Sequence, residues 1–236
     1  MARIARVVIP NVPHHVTQRG NRRQKVFFQE SDYQEYVALM SEWCGRFQIE
    51  VWAYCLMPNH VHLIVVPKSE KDFQMAIGEA HRRYSRMINF REGWRGHLWQ
   101  GRFASYPMDD RYLLQAARYI ELNPVRAKII KKPENYPWSS ALAHLSGTND
   151  LLVTVKPLLL RTESWETFLG ENMDEETISF LQKHERTGKP LGEKSFVRNL
   201  EKETGRRFLP KKPGPKRKMQ ALKGVPRNVF KKVTSR

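Results

Sequence analysis

Two histidines, His60 and His62, flank a single valine in the run Met57-Pro58-Asn59-His60-Val61-His62-Leu63-Ile64-Val65. On a strand, residues i and i+2 point to one face, so both imidazoles converge while Val61, Leu63 and Val65 face the opposite way. Two imidazoles can hold a divalent ion and leave positions open for a carboxamide, carboxylate, water or phosphate oxygen, which suits catalysis better than a closed structural site. The alternative is that one of them is a hydrogen-bonded core histidine, and spacing alone leaves both readings open. A second pair, Tyr119 and Asn123, stands at i and i+4 in Arg118-Tyr119-Ile120-Glu121-Leu122-Asn123-Pro124-Val125-Arg126 and shares a helical face. A phenol with a pKa of about 10 is a weak nucleophile. A divalent ion polarising a nearby phosphate would help it, and the Asn123 carboxamide could complete the metal shell. The alternative here is an ordinary helix in which Tyr119 packs on the core and Asn123 caps the end.

The surrounding pattern supplies elements to carry these side chains. Residues 7–17 and 25–28 read as short strands around the polar loop Gln18–Gln24. Ser31 and Asp32 read as the start of a helix whose apolar residues, Tyr33, Tyr36, Val37, Met40 and Trp43, recur at helical spacing. Ile49–Leu56 and His60–Val66 are β-rich runs separated by Met57-Pro58-Asn59, a hairpin signal. A helix over Phe73–Asn89, a strand at Phe103–Tyr106 and a third helix capped by Asp109 or Asp110 follow. That helix ends at Asn123-Pro124, because the residue before proline avoids the helical region. A short helix over Pro124–Ile130 and the Tyr136–Ser140 segment close a first domain, residues 1–147. Residues 148–209 read as a helical extension, with helices over Asp174–Glu185 and Leu191–Thr204. Residues 210–236 form a basic tail interrupted by Pro and Gly that cannot build a core. A hairpin among interleaved helices predicts an α+β fold with an antiparallel sheet rather than a doubly wound one.

Charge narrows the partner. The chain of 236 residues carries 41 Lys and Arg against 24 Asp and Glu, a net charge of +17. Twelve of those cations fall in residues 206–236, which hold no acidic residue, so the body is only mildly basic and the tail carries most of the excess. Such a balance favours nucleic acid first and an anionic membrane second. No apolar run is long enough to span a bilayer, and the apolar part of the N-terminus is too short for a signal peptide. Cys44 and Cys55 show neither metal nor redox spacing, in keeping with a cytoplasmic protein.

The run around His60 and His62 resembles the His-hydrophobe-His ("HUH") motif of single-tyrosine transposases. Tyr119 to Ala127 resembles the catalytic-tyrosine helix of their REP-associated subgroup, as do His15-Val16-Thr17-Gln18-Arg19-Gly20-Asn21-Arg22-Arg23-Gln24 and Leu98-Trp99-Gln100-Gly101-Arg102-Phe103. The four motifs stand in order along the chain, and the resemblance covers about residues 5–145. The resemblance implies a ferredoxin- or RRM-like antiparallel sheet flanked by helices, with the histidines on a central strand. It implies that His60, His62 and Asn123 bind magnesium or manganese. It further implies that Tyr119 attacks a phosphate of single-stranded DNA at hairpin-forming palindromic repeats, leaving a 5′-phosphotyrosine and a free 3′-hydroxyl. Neither a membrane nor a small-molecule substrate is expected, and relatives with long tails lean towards acting as monomers.

For DNA contacts, Arg19, Asn21, Arg22 and Arg23 surround a glycine in a loop that can approach a phosphate backbone closely, although a solvated basic turn explains them equally well. Arg82 and Arg83, with Arg86 and His81 around Tyr84, offer phosphate contacts and a stacking ring, or else form a charged outer helix face. Tyr84 is also the rival nucleophile, without an asparagine four residues on. Arg102 could line the site, whereas Trp99 suits the core. Lys216, Arg217 and Lys218 in the tail would add salt-sensitive affinity or cover the site in the free protein. A different class, a hairpin-binding regulatory protein retired from catalysis, is opposed by the joint presence of His60, His62, Tyr119 and Asn123. The absence of a P-loop opposes a replication-initiator role.

Overall fold

The structure is a computed structural model that describes residues 5–209; Lys216, Arg217, Lys218 and the rest of the basic tail lie outside the described residues. Four antiparallel strands form its centre: β1 (His14–Arg19), β2 (Glu50–Met57), β3 (His60–Val66) and β4 (Ala104–Pro107), in the order β2-β3-β1-β4. The α+β fold with the histidines on a central strand is therefore as expected. Its two faces are covered differently. Val61, Leu63 and Val65 point, with Val16 and Leu56, into a core shared with helices α1 (Glu30–Arg46) and α2 (Glu70–Arg91). Ile64, Ala53, Cys55 and Tyr106 point the other way, towards α3 (Asp110–Glu121).

Local chemistry fixes each helix. The Gln29 side chain caps α1 in a reciprocal arrangement with Asp32, two residues earlier than the start expected at Ser31. Tyr36, Met40 and Trp43 then line its buried face. Ser69 Oγ accepts from the Asp72 N–H at 3.1 Å to start α2, and Asp109 accepts from Tyr112 N–H at 3.0 Å to start α3. Leu122 breaks the run only briefly before α4 (Asn123–Arg126). Lys128, at φ 57°, ends the helical path short of the expected Ile130. Three short helices, α5 (Ala141–Ser146), α6 (Lys156–Leu159) and α7 (Trp165–Gly170), lead to α8 (Glu175–Thr187) and α9 (Lys194–Thr204).

The segment after residue 147 packs on the sheet: Leu158, Trp165, Leu181 and Leu191 join the α3-side core, and Thr154 N–H donates to Val51 O at 2.8 Å. Leu191 bridges to Met108 instead of opening α9, which begins at Lys194. Two expected strands differ. Residues 7–13 stay outside the sheet, with Val7 and Ile9 packed against Val197 and Leu200 of α9. Residues 25–28 form no strand, because the N–H groups of Val26 and Phe27 are taken by Pro58 O at the hairpin tip. Among the described residues no helix is long and apolar enough to cross a membrane.

Candidate active site

The register of the sheet assembles the site. Opposite β3, strand β1 sets Arg19 against His60, Thr17 against His62 and His15 against Ile64. Residues opposite one another on antiparallel strands share a face, and diagonal neighbours remain within reach of long side chains. His15 therefore reaches His62, with Nε2 to Nδ1 at 3.0 Å. Tyr106 on β4, opposite His15, closes the row with its hydroxyl 2.6 Å from His15 Nδ1.

Helix α3 lies over this face and brings Tyr119 edge-on to His62, ring centroids 5.6 Å apart at 84°. Its position is fixed by Glu121, a fully buried carboxylate that accepts from Ser140 Oγ at 2.5 Å and from Trp165 Nε1 at 2.8 Å and lies 2.6 Å from His144 Nδ1. Arg126 folds back so that its guanidinium sits 4.1 Å from the centre of the Tyr119 ring. Asn123 is buried at the start of α4, one turn after Tyr119. From α8, Gln182 and Glu185 reach the Tyr119 side chain, and Glu185 Oε1 lies 3.7 Å from His62 Nδ1. A cleft of about 910 Å³ opens here, lined by Arg19, Arg23, His60, Arg102, Tyr119 and Glu185 among others.

Burial dominates the electrostatics. It lowers the pKa of His15 and of His60 to about 3, and that of His62 well below its usual value, with Arg19 and Arg126 reinforcing the effect at His60 and His62. All three rings are thus neutral at pH 7 and carry a lone pair. Burial pushes the Glu185 carboxyl up to about 7 against the pull of Arg19 and Arg126. The Tyr119 phenol is raised by burial and by Glu185, while Arg126 and hydrogen bonds from Arg126 and Gln182 act downward.

These residues fit the divalent ion that the HUH resemblance implies. His62 Nε2 and Glu185 Oε1 are buried without a hydrogen-bond partner. His60 Nδ1 lies 2.6 Å from Asn59 Oδ1, and His62 Nδ1 is engaged by His15. Each ring of the pair therefore has one nitrogen held by a partner and the other left for a ligand, an arrangement that fixes ring orientation in metal sites. His15, His62 and Glu185 also offer donor atoms within 4.8 Å of one another.

The other expected contacts divide. Asn21, Arg22 and Arg23 form a single 3₁₀ turn, with Arg22 and Arg23 at φ 51° and 62°. The hairpin tip pins this turn, since Asn59 Nδ2 donates to Arg23 O and Gly20 N–H donates to Asn59 O. Arg19, Arg23 and Arg102 line the cleft. Arg82 and Arg83 are not brought to it: they lie on α2, across the sheet, where Arg82 pairs with Glu79 at 2.6 Å and Arg83 stacks 4.7 Å from the Trp43 ring. Tyr84 is fully buried and donates to Val26 O at 2.6 Å, which removes it as a nucleophile. Trp99 is buried, as its core reading requires. Sequence reasoning missed two members of the site. His15 had a signal, its place on a strand that could pair with the histidine strand; Glu185 had none.

Comparisons with known proteins agree with this geometry. The family described as "Transposase IS200 like" matches residues 9–123. A chain of Haemophilus influenzae (strain KW20) named "Putative REP-associated tyrosine transposase" is 25% identical over 122 residues, covering 47% of this chain and 69% of its own. The fold is similar to that of a REP-associated tyrosine transposase solved with a REP hairpin, at a TM-score of 0.54 and 20% identity, over 65% of this chain and 92% of the other. Residues 9–123 thus match the IS200-like transposase family, the one that the motifs resemble.

Proposed function

We propose that this protein cleaves and rejoins single-stranded DNA at hairpin-forming palindromic repeats, using Tyr119 as nucleophile and a divalent ion, magnesium or manganese, held by His60, His62 and Asn123. The observation that carries the reading is the meeting of Tyr119 with His62 beside a cleft lined by Arg19, Arg23 and Arg102. In the reaction the Tyr119 oxygen bonds to phosphorus as the P–O3′ bond breaks, giving a 5′-phosphotyrosine and a 3′-hydroxyl. Attack by a 3′-hydroxyl reverses it with no external energy source. The ion supplies polarisation of the scissile phosphate. Arg126 stabilises negative charge on the phenol oxygen through its position over the ring. Arg19, Arg23 and Arg102 hold the DNA backbone, a contact that weakens with salt.

The test is adduct formation. With Mn²⁺ or Mg²⁺ and a hairpin-bearing single strand, the full chain should form a covalent protein–DNA adduct on a denaturing gel. Tyr119→Phe should abolish the adduct and keep hairpin binding, and an undiminished adduct would overturn the assignment. Hairpin binding without any adduct in the wild type would favour the regulatory, non-catalytic reading.

A further inference from the structure

Helix α8 lies beyond residues 9–123, the part matched to the transposase family, yet it sends a carboxylate into the centre of the site. We propose that Glu185 is a protein ligand to the divalent ion held by the histidine pair, so that the C-terminal segment completes the metal site. The inference rests on the metal reading given above.

Three observations carry it. Glu185 Oε1 is buried and has no hydrogen-bond partner, and the same holds for His62 Nε2 on the imidazole 3.7 Å away. A buried carboxylate oxygen without a donor costs free energy that a cation recovers. The nearby cations do not recover it, since Arg19, Arg126 and Arg186 act on Glu185 only through their field and Oε1 stays unpaired. A donor atom of His62 and one of Glu185 lie within 4.8 Å of each other, a spacing that ligand bonds of about 2.0–2.2 Å can draw onto one ion. Chemically, a carboxylate oxygen suits magnesium and manganese better than imidazole does, so a hard anionic donor strengthens a set otherwise built from neutral groups.

The helix is held where this role needs it. Leu181 is fully buried in the α3-side core, and α8 is capped at its start by Asp174, which accepts from the Thr177 N–H at 2.6 Å. At its other end Gly188, at φ 66°, turns the chain, and its N–H donates to His184 O at 2.8 Å. Glu185 stands one turn after Leu181, on the side that faces the sheet.

Mn²⁺ titrated calorimetrically into the full chain without DNA tests the proposal. Glu185→Gln, which keeps the size and removes the charge, should weaken binding by roughly tenfold or more, and His62→Ala should weaken it at least as much. If Glu185→Gln binds Mn²⁺ as tightly as the wild type, or tighter, while His62→Ala has lost binding, the histidine site stands and Glu185 is no ligand. If His62→Ala also binds like the wild type, the metal reading itself falls, and this proposal with it. Amide exchange gives a second readout that needs only the wild type: Mn²⁺ should slow exchange across residues 175–187. Unchanged exchange there on Mn²⁺ binding would overturn the role of Glu185 even if Glu185→Gln failed to fold.

Discussion

The row Tyr106–His15–His62 makes a quantitative test of how the sheet tunes the site. If His62 Nε2 is the ligand atom, its lone pair lies there and its proton on Nδ1, which then donates to His15 Nε2. The His15 proton must in turn sit on Nδ1, pointing at the Tyr106 oxygen 2.6 Å away. Tyr106→Phe removes that acceptor and little else, because the ring still fills the same space. His15 is fully buried, so its N–H is left without water or another partner. An unsatisfied buried donor costs about 1–3 kcal/mol, and for a chain of this size each kcal/mol lowers Tm by about 2–4 °C. A midrange cost of about 2 kcal/mol therefore predicts a drop of roughly 4–8 °C in metal-free protein. Loss of such an orienting partner also weakens metal affinity, typically 10–100-fold. At a Mn²⁺ concentration 100 times the wild-type Kd, binding stabilises the fold by about 2.7 kcal/mol; a tenfold weaker site gives about 1.4 kcal/mol at the same concentration. The Mn²⁺-induced rise in Tm should fall to about half. Thermal melts with and without Mn²⁺, followed by circular dichroism, measure both effects. A lower metal-free Tm with an undiminished Mn²⁺ shift would refute the orienting role, and an unchanged metal-free Tm would refute the hydrogen-bond accounting.

Two further outcomes follow from local geometry. A Cβ at Gly20 would stand 2.3 Å from Gln24 O and 2.8 Å from Val26 Cγ1, although φ is an ordinary −59°. Gly20→Ala should therefore cost about 1–3 kcal/mol by overpacking and weaken hairpin binding by displacing the Arg22–Arg23 turn; a gel-shift affinity and Tm equal to wild type would contradict this. At Asp32, burial acts upward on the carboxyl, but the Arg91 ion pair and the N–H groups of Phe28 and Gln29 outweigh it and hold its pKa below the usual value. A depressed carboxyl contributes stability above its unfolded pKa and loses it as pH falls through the folded one. Asp32→Asn should thus cost about 2 kcal/mol at pH 7, with the gap to wild type closing below about pH 4. A gap that stays constant in urea melts from pH 7 to pH 3 would show that the charge is not what matters.

The sequence by itself determined the parts whose cause is local. The alternation in His60–Val66 put two imidazoles on one face and three apolar side chains on the other, because side-chain direction in a strand has a period of two. Pro58 and Asn59 made the hairpin, Asp109 capped the tyrosine helix, and Tyr119 and Asn123 followed from helical spacing. The same local logic failed where a distant group competed. Val26 and Phe27 look like strand residues, yet the hairpin tip takes their N–H groups. The place of Arg82 and Arg83 relative to the cleft was likewise decided by packing, since α2 covers the face away from the histidines. Only the tertiary structure decided that His15 stands beside His62, since strand register depends on which strands pair, and that Glu185 reaches the site from 123 residues beyond His62. No spacing rule links such positions. What links them is the burial of Leu181, Leu158 and Trp165 against the sheet, a long-range apolar contact that brings a carboxylate to two imidazoles.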